Sequence, residues 1–475
     1  MKIHFIGIGG IGVSALARYY FESGNEISGS DLEPSVITAV FKKLGIKIDF
    51  NSQKKSELEY RDWEQIQQSK LFIQKPNLVI YSPAVEKNNP ELKAARESGI
   101  ECKSYPEALG ELTKKYFTIA VSGAHGKSTT TSMLALVMIK AGLDPTVIVG
   151  TKLKEFGDSN FRMGKSKYLL IEADEWNASF LNYWPKIIAL TNIDKEHLDY
   201  YKDLNHILKT YKEYILHLPK NGVLIYNNDD KNIRKLNPKS QIRWTRSGLP
   251  EGLLPKKILN SNIQINNYSI KQKEAGELKK ILKVPGTHNI YNALAVVETA
   301  RVLGISDEIT FSALSQYHGV WRRFEESELE IENCKLKIVS DYAHHPAEVQ
   351  ATLQAAREKY PDKKIWCVFQ PHQYQRTYLL FNDFVKIFRQ AQDERLIDKM
   401  IITDIYSVAG RESDEIKKKV NSEKLVKKVG KGNIVYVKKA GLKKYILENI
   451  KDIEVLIIMG AGTIYKLAGN LVDNK

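Results

Sequence analysis

Cysteine is nearly absent: only Cys102, Cys334 and Cys367 occur in 475 residues. An odd, widely spaced set excludes a disulfide framework and offers no metal-cluster spacing, which fits a reducing compartment. Long apolar runs are missing as well, for none approaches the ~20 residues needed to span a bilayer. There is no cleavable signal pattern, because residues 2–6 already read as a strand. A cytoplasmic protein with no membrane span is expected. Acidic residues are in deficit, 56 Asp and Glu against 71 Lys and Arg, giving a formal charge of +15. The lysine runs at 417–419 and 427–428 carry no interleaved aromatics, so they read as solvated helix faces and no nucleic-acid partner is expected. A basic balance does favour polyanionic small substrates.

What is present is ordinary for a globular chain, 43% apolar and 27% charged, and long enough for two to four domains. Its most informative run is Val121-Ser122-Gly123-Ala124-His125-Gly126-Lys127-Ser128-Thr129. An apolar stretch at 117–121 precedes it and a helical pattern at 130–140 follows. Strand, glycine loop and helix is the setting in which backbone N–H groups and a helix N-terminus converge on phosphate. Lys127 is placed for the β/γ-phosphates and Ser128 for a magnesium ion. The common phosphate loop has its first glycine five residues before the second, where this chain has Val121. The loop is a shortened G-x-x-G-K-S-T.

The N-terminus reads as a buried strand at 2–6, then Gly7-Ile8-Gly9-Gly10-Ile11-Gly12, then a helix at about 13–23. A second strand, 27–31, ends in Asp31, about twenty residues after the glycines. This is a dinucleotide fingerprint with Asp31 placed for a ribose hydroxyl. The physics selects a diphosphate and a ribose, so a UDP-sugar satisfies it as well as NAD does. A strand near 77–84 brings Ser82 to the same crevice. Residues 51–75 read as a polar surface excursion, and 112–116 as a linker.

In the central part, a strand at 168–171 delivers Glu172-Ala173-Asp174-Glu175, and a strand at 187–190 leads to Asp194-Lys195-Glu196-His197. Carboxylates at the C-terminal ends of strands are where open α/β sheets put their chemistry. Glu172 with Ser128 suits Mg²⁺, and His197 is a candidate for a second ion. At 286–293 a loop turns into a helix ending near 303, with Asn289 and Asn292 three apart on one face, able to pair with adenine or simply to form an N-cap and a polar helix face. Beyond Gly319-Val320-Trp321-Arg322-Arg323-Phe324, strands at 335–340, 365–369, 400–402 and 455–459 end in polar groups. Among those groups are Tyr342, His344, His345, His372 and Arg376. This predicts another doubly wound sheet, and overall an α/β fold.

Taken together, these motifs resemble the Mur ligases. The resemblance rests on residues 4–12, Gly29-Ser30-Asp31, the 123–129 loop, 172–175, Asp341-Tyr342-Ala343-His344-His345-Pro346 and 369–377. It implies three domains: a Rossmann-like UDP-sugar domain at 1–113, an ATP-binding domain with a mostly parallel sheet at 114–318, and a Rossmann-like closing domain at 319–475. It implies an ATP- and Mg²⁺-dependent ligase of peptidoglycan precursor synthesis, most like the members that join L-alanine to UDP-N-acetylmuramate, and a monomer or weak homodimer. The diphosphate is then expected on Gly9, Gly10, Ile11 and Gly12, with Asp31 and Ser82 nearby. ATP is expected on Gly123, Ala124, His125, Gly126, Lys127, Ser128 and Thr129, with adenine at Asn289 and Asn292 and Arg323 on the phosphates. Metal is expected at Ser128, Glu172 and His197. Tyr342, His344 and Arg376 are expected to receive the amino acid and the muramoyl carboxylate, with Lys127, His344, Arg376 and Arg323 as the catalytic set.

The chain departs from the family in three places. Trp176-Asn177 stands where Ser-Asp is common, Gln373 follows the histidine of Phe369-Gln370-Pro371-His372 where arginine is usual, and Ala124 and Ser128 replace threonines. Three other readings stay open at this point. They are a ligase that recycles a whole tripeptide, an NAD(P)-dependent oxidoreductase suggested by the first fingerprint alone, and a catalytically impaired nucleotide-binding homologue.

Overall fold

The computed structural model describes residues 1–50, 75–236, 263–331, 334–408, 412 and 414–472. All of the expected surface excursion but Lys75 lies outside the described residues. The chain forms two compact units, one of Met1–Ile193, Leu208–Tyr268 and Ala295–Thr310, the other of Asp194–Ile207, Ser269–Leu294 and Phe311–Lys475. Among the described residues no helix is long and apolar enough to cross a membrane.

The first unit contains two sheets. In the first, β1 (Lys2–Ile6), β2 (Glu26–Ser30), β3 (Lys47–Asp49), β4 (Leu78–Tyr81) and β5 (Glu101–Ser104) run parallel in the order β3-β2-β1-β4-β5. The chain winds outward from β1 to β3 and restarts on the other side at β4. That reversal opens a crevice outside the C-terminal ends of β1 and β4. The helix Ile11–Glu22 leaves the crevice two residues before the apolar pattern begins, because Gly10, its N-cap, supplies no side chain that would mark the start.

Residues 112–116 are not a linker. The helix Tyr105–Lys115 takes in 112–115 and leaves only Tyr116 before the strand Phe117–Ser122, started by a capping box of Ser104 and Glu107 with Pro106 in its first turn. Its buried Ala108, Leu109 and Leu112 hold it on the protein, so the lysines at its end mark a C-terminus rather than a boundary.

The second sheet comprises β6 (Phe117–Ser122), β7 (Thr146–Leu153), β8 (Ser159–Arg162), β9 (Tyr168–Ala173), β10 (Ile187–Leu190), β11 (Val223–Asn227) and β12 (Gln264–Tyr268), in the order β12-β11-β10-β6-β9-β7-β8. All neighbours are parallel except β7 and β8. β6, β9 and β10 are almost wholly buried, as unbroken apolar runs covered on both faces must be. Asn160 on β8 donates its amide to Ile11 O and, at 2.9 Å, to Ser14 Oγ, tying the start of the helix Ile11–Glu22 to this sheet.

The second unit holds β13 (Glu325–Ile331), β14 (Cys334–Asp341), β15 (Ile365–Phe369), β16 (Lys399–Ile402), β17 (Ile434–Tyr436) and β18 (Val455–Met459), ordered β13-β14-β18-β15-β16-β17. The expected strands are β14, β15, β16 and β18, and they are parallel. The antiparallel edge strand β13 is additional. Its Glu325, Glu326, Glu328 and Glu330 give it the composition of a loop, and they also blunt an exposed edge. Phe369, Phe384 and Phe388 fill one face of the sheet, and Ile338, Leu456 and Ile458 the other.

Candidate active site

The crevice of the first sheet is built from backbone. Gly7, at φ 78°, and Ile8 both donate their N–H to Ser30 O, at 2.9 and 3.0 Å. Asp31 is held by the backbone, its Oδ2 accepting the N–H of Gly9 at 2.7 Å and its Oδ1 that of Leu32 at 2.7 Å. Burial raises its pKa, and these backbone bonds offset part of the rise. Gly9 has to be glycine here, because a Cβ would lie 2.8 Å from Asp31 Oδ2. Ser82 closes the other wall, where a Cβ on Gly7 would meet its Cβ at 2.9 Å.

The 123–129 loop leaves β6 and enters the helix Lys127–Lys140 through Gly126 in the left-handed region, φ 81°. Its missing first glycine is compensated from outside. Thr191 and Asn192, just past β10, hold the loop: Ala124 N–H bonds Asn192 O at 3.1 Å and His125 N–H bonds Asn192 Oδ1 at 2.8 Å. His125 O in return accepts Thr191 Oγ1 at 2.7 Å and Asn192 Nδ2 at 2.9 Å. Gly123, at φ 137°, leaves the room this needs, since a Cβ there would crowd Thr191 Oγ1 and Asn192 N.

Around this loop the carboxylates of β9 gather. Ser128 Oγ donates to Glu172 Oε2 at 3.1 Å, while Gly150 N–H donates to Glu172 Oε1 at 2.7 Å. The hydroxyl and carboxylate are adjacent hard oxygen donors, as a Mg²⁺ site requires. Lys127 folds back on its own loop, 2.9 Å from Glu175 Oε2 and 2.6 Å from Gly123 O. Burial pulls the pKa of this ammonium down, but Glu175, Asp174 and Glu172 outweigh it and keep the group charged. Thr129 is buried at the start of the helix. At the departure from the family motif, Asn177 and Ala178 both adopt φ 53°.

In the second unit, a polar cluster forms at the C-terminal ends of β14 and β15. Arg376 donates to Glu196 Oε2 at 3.3 Å and to His372 Nδ1 at 3.0 Å. His344 Nδ1 donates to Tyr342 O at 3.0 Å, which leaves Nε2, 3.8 Å from Glu196 Oε1, as its basic nitrogen. Burial, only partly offset by Glu348 and Glu196, lowers the His344 pKa to about 4. Glu196 is held well below the usual range, for Arg376 and the surrounding histidines outweigh its burial. Gln373, at φ 69°, is buried beside this cluster. His197, at φ 54°, follows Glu196, whose Oε2 accepts its backbone N–H at 3.1 Å.

Arg323 lies over the Tyr342 ring, 5.0 Å from its centroid, and 3.8 Å from Glu348. Its charge also bears on His288, whose pKa burial lowers to about 4. The start of the helix Thr287–Val302 therefore stands beside Arg323. There Asn289 and Asn292 are buried and bonded to each other at 3.3 Å, and Asn289 Nδ2 also donates to Pro285 O at 2.7 Å. The two asparagines are thus bonded within the protein at the helix start and buried, not on a solvated face.

Two elements of the site escaped the sequence reading: the Thr191–Asn192 brace and Glu196 as the partner of Arg376. Only the brace had a local signal, two hydrogen-bonding residues directly after a buried strand.

The chain matches the Mur ligase family, catalytic domain, over residues 2–117, the Mur ligase middle domain over 121–300, and the Mur ligase, glutamate ligase domain over 322–462. It is 38% identical to a UDP-N-acetylmuramate–L-alanine ligase of Acetivibrio thermocellus, covering 100% of this chain and 96% of that one. Among solved structures it is similar to the UDP-N-acetylmuramate–alanine ligase of Thermotoga maritima, with TM-score 0.73 and 27% identity over 100% of this chain and 98% of that one. It shares the fold of a murein peptide ligase of Psychrobacter arcticus at TM-score 0.69 and 20% identity, covering 99% and 98%.

Proposed function

Since the chain belongs to the Mur ligase family, we propose that it joins L-alanine to UDP-N-acetylmuramate with conversion of ATP to ADP and phosphate, in peptidoglycan precursor synthesis. The structural observation that carries this reading is the Ser128–Glu172 pair beside the phosphate loop, in a chain 38% identical along its whole length to a relative named for that reaction. Both the fingerprint at 7–12 and the loop at 123–129 are then used, whereas an NAD(P)-dependent oxidoreductase uses the fingerprint and leaves the Lys127 loop and Glu172 unexplained. Residues 1–113 hold the UDP-sugar, 114–318 hold ATP and 319–475 serve the amino acid. Both nucleotide substrates are cytoplasmic metabolites, and the enzyme acts there.

A carboxylate is a poor electrophile, so the lactyl carboxylate first attacks the γ-phosphate, giving an acyl phosphate and ADP. The amine of alanine then attacks the acyl carbon, and the tetrahedral intermediate expels phosphate. Lys127 leaves Glu175 for the phosphates and, with Arg323, neutralises charge on the transferring group. Ser128 and Glu172 would hold Mg²⁺, whose chemistry is to offset charge on the phosphate oxygens; His197 is proposed for a second ion on the resemblance. Asn289 and Asn292 turn toward adenine by exchanging their mutual bond. Arg376 receives the alanine carboxylate. The neutral Nε2 of His344 takes a proton from the amine, and Glu196 steadies the imidazolium.

Phosphate release from ATP with Mg²⁺ and UDP-N-acetylmuramate, compared across L-alanine, glycine, L-serine and no amino acid, tests this. Release that depends on L-alanine is expected. Absence of release with every amino acid would overturn the ligase reading, and release that needs no amino acid would make the protein an uncoupled ATPase.

A further inference from the structure

Tyr105 is the first residue of the helix Tyr105–Lys115 and directly follows the C-terminal end of β5, the edge strand next to β4. Its ring end lies against Gly12: a Cβ at Gly12 would stand 2.9 Å from Tyr105 Cζ and 3.0 Å from its Oη. Gly12 sits inside the helix Ile11–Glu22 and is not among the glycines with positive φ, so its backbone would accept any residue. Gly12 is therefore glycine to admit this ring, and the ring's position over the diphosphate loop is built in.

On its other side the phenol feels Glu172 and Asp174. Burial first, then these two carboxylates, raise its pKa, so that it stays a hydrogen-bond donor at any working pH. Tyr105 is partly exposed, and among the described residues its hydroxyl has no hydrogen-bond partner. Asn160 fixes the distance this donor spans by holding the helix Ile11–Glu22 against β8. A committed donor thus stands at the diphosphate loop and within the electrostatic reach of Glu172 and Asp174, all within the first unit.

A substrate whose diphosphate rests on the 7–12 loop lies against the ring end of Tyr105 at Gly12. We propose that Tyr105 Oη donates a hydrogen bond to the substrate carboxylate that becomes phosphorylated, and thereby selects UDP-sugars that bear one. This rests on the ligase reading above and names the residue that recognises its acceptor.

The test is binding by the full chain, measured calorimetrically with UDP-N-acetylmuramate and with UDP-N-acetylglucosamine, which lacks the lactyl carboxylate. Tyr105→Phe keeps the ring on Gly12 and removes only the donor. Its affinity for UDP-N-acetylmuramate should fall about 10- to 100-fold, the range for a lost hydrogen bond to a charged group. Its affinity for UDP-N-acetylglucosamine and its thermal midpoint should stay at wild-type values. An unchanged affinity for UDP-N-acetylmuramate, or an equal loss for both ligands, overturns the proposal while leaving the ligase reading intact. Wild-type protein that does not bind UDP-N-acetylmuramate at all overturns both.

Discussion

Ser128 and Glu172 lie 44 positions apart in sequence and share a hydrogen bond of 3.1 Å, with the second oxygen of Glu172 occupied by the Gly150 N–H at 2.7 Å. The carboxylate is oriented from both sides, by the hydroxyl that opens the helix after the phosphate loop and by a backbone N–H of β7.

Glu172→Gln keeps the shape and removes the charge. Phosphate release should fall about 100-fold or more, the scale at which loss of one preorganised electrostatic group acts, and the Mg²⁺ dependence should shift to higher concentration. Ser128→Thr keeps the hydroxyl and should stay near wild type. Titrating activity against Mg²⁺ checks both.

Lys127 and Glu175 form an ion pair of 2.9 Å with side-chain exposures of 14% and 2%. Glu175→Gln leaves the ammonium beside a neutral amide, and the ligand-free protein should lose about 3 kcal/mol, as when a buried pair is broken from one side. Added ATP should recover part of the lost thermal midpoint, because the phosphates replace the missing charge. A midpoint equal to wild type without ATP would refute the pairing.

Arg376 and Glu196 are similarly buried, with side-chain exposures of 9% and 5%. Arg376→Met should destabilise by roughly 3–5 kcal/mol and raise the KM for alanine. Adding Glu196→Gln should restore most of the stability without restoring alanine use. A double-mutant cycle read by unfolding and by KM separates the two effects.

His344 and His288 both have pKa values lowered to about 4 in the folded protein, against about 6.5 in an unfolded chain. As pH falls, the unfolded state takes up protons first. Stability is therefore full above pH ~6.5 and is lost progressively as pH drops toward 4, by no more than about 3 kcal/mol for each group. Thermal midpoints across this range should fall with acid, and His288→Asn should flatten the slope.

Buried parallel strands were the legible part of the fold: Ile187–Leu190, Ile365–Phe369 and Val455–Met459 are continuous apolar runs, and their bounds agree residue for residue with the pattern. Such a run can only be covered on both faces, so local composition suffices. The Glu-rich strand β13 and the β7/β8 hairpin were not legible, because an edge strand is defined by its partner and not by its own periodicity. In the site, the glycine loops announced themselves through the backbone geometry they require. Glu196 did not, since its meeting with Arg376 spans 180 positions and follows from topology alone. Asp31 and the two asparagines were found by spacing, yet each already holds a bond within the protein.

The brace of Thr191 and Asn192 on the 123–129 loop has a consequence for how the protein forms. A full-length phosphate loop carries its own shape, whereas this one borrows rigidity from the tip of β10, which comes after it in the chain and pairs with β6. Nucleotide binding can mature only once β10 has docked. A nascent chain that ends before Asn192 should emerge without affinity for ATP, and gain of that affinity during refolding should report closure of the central sheet.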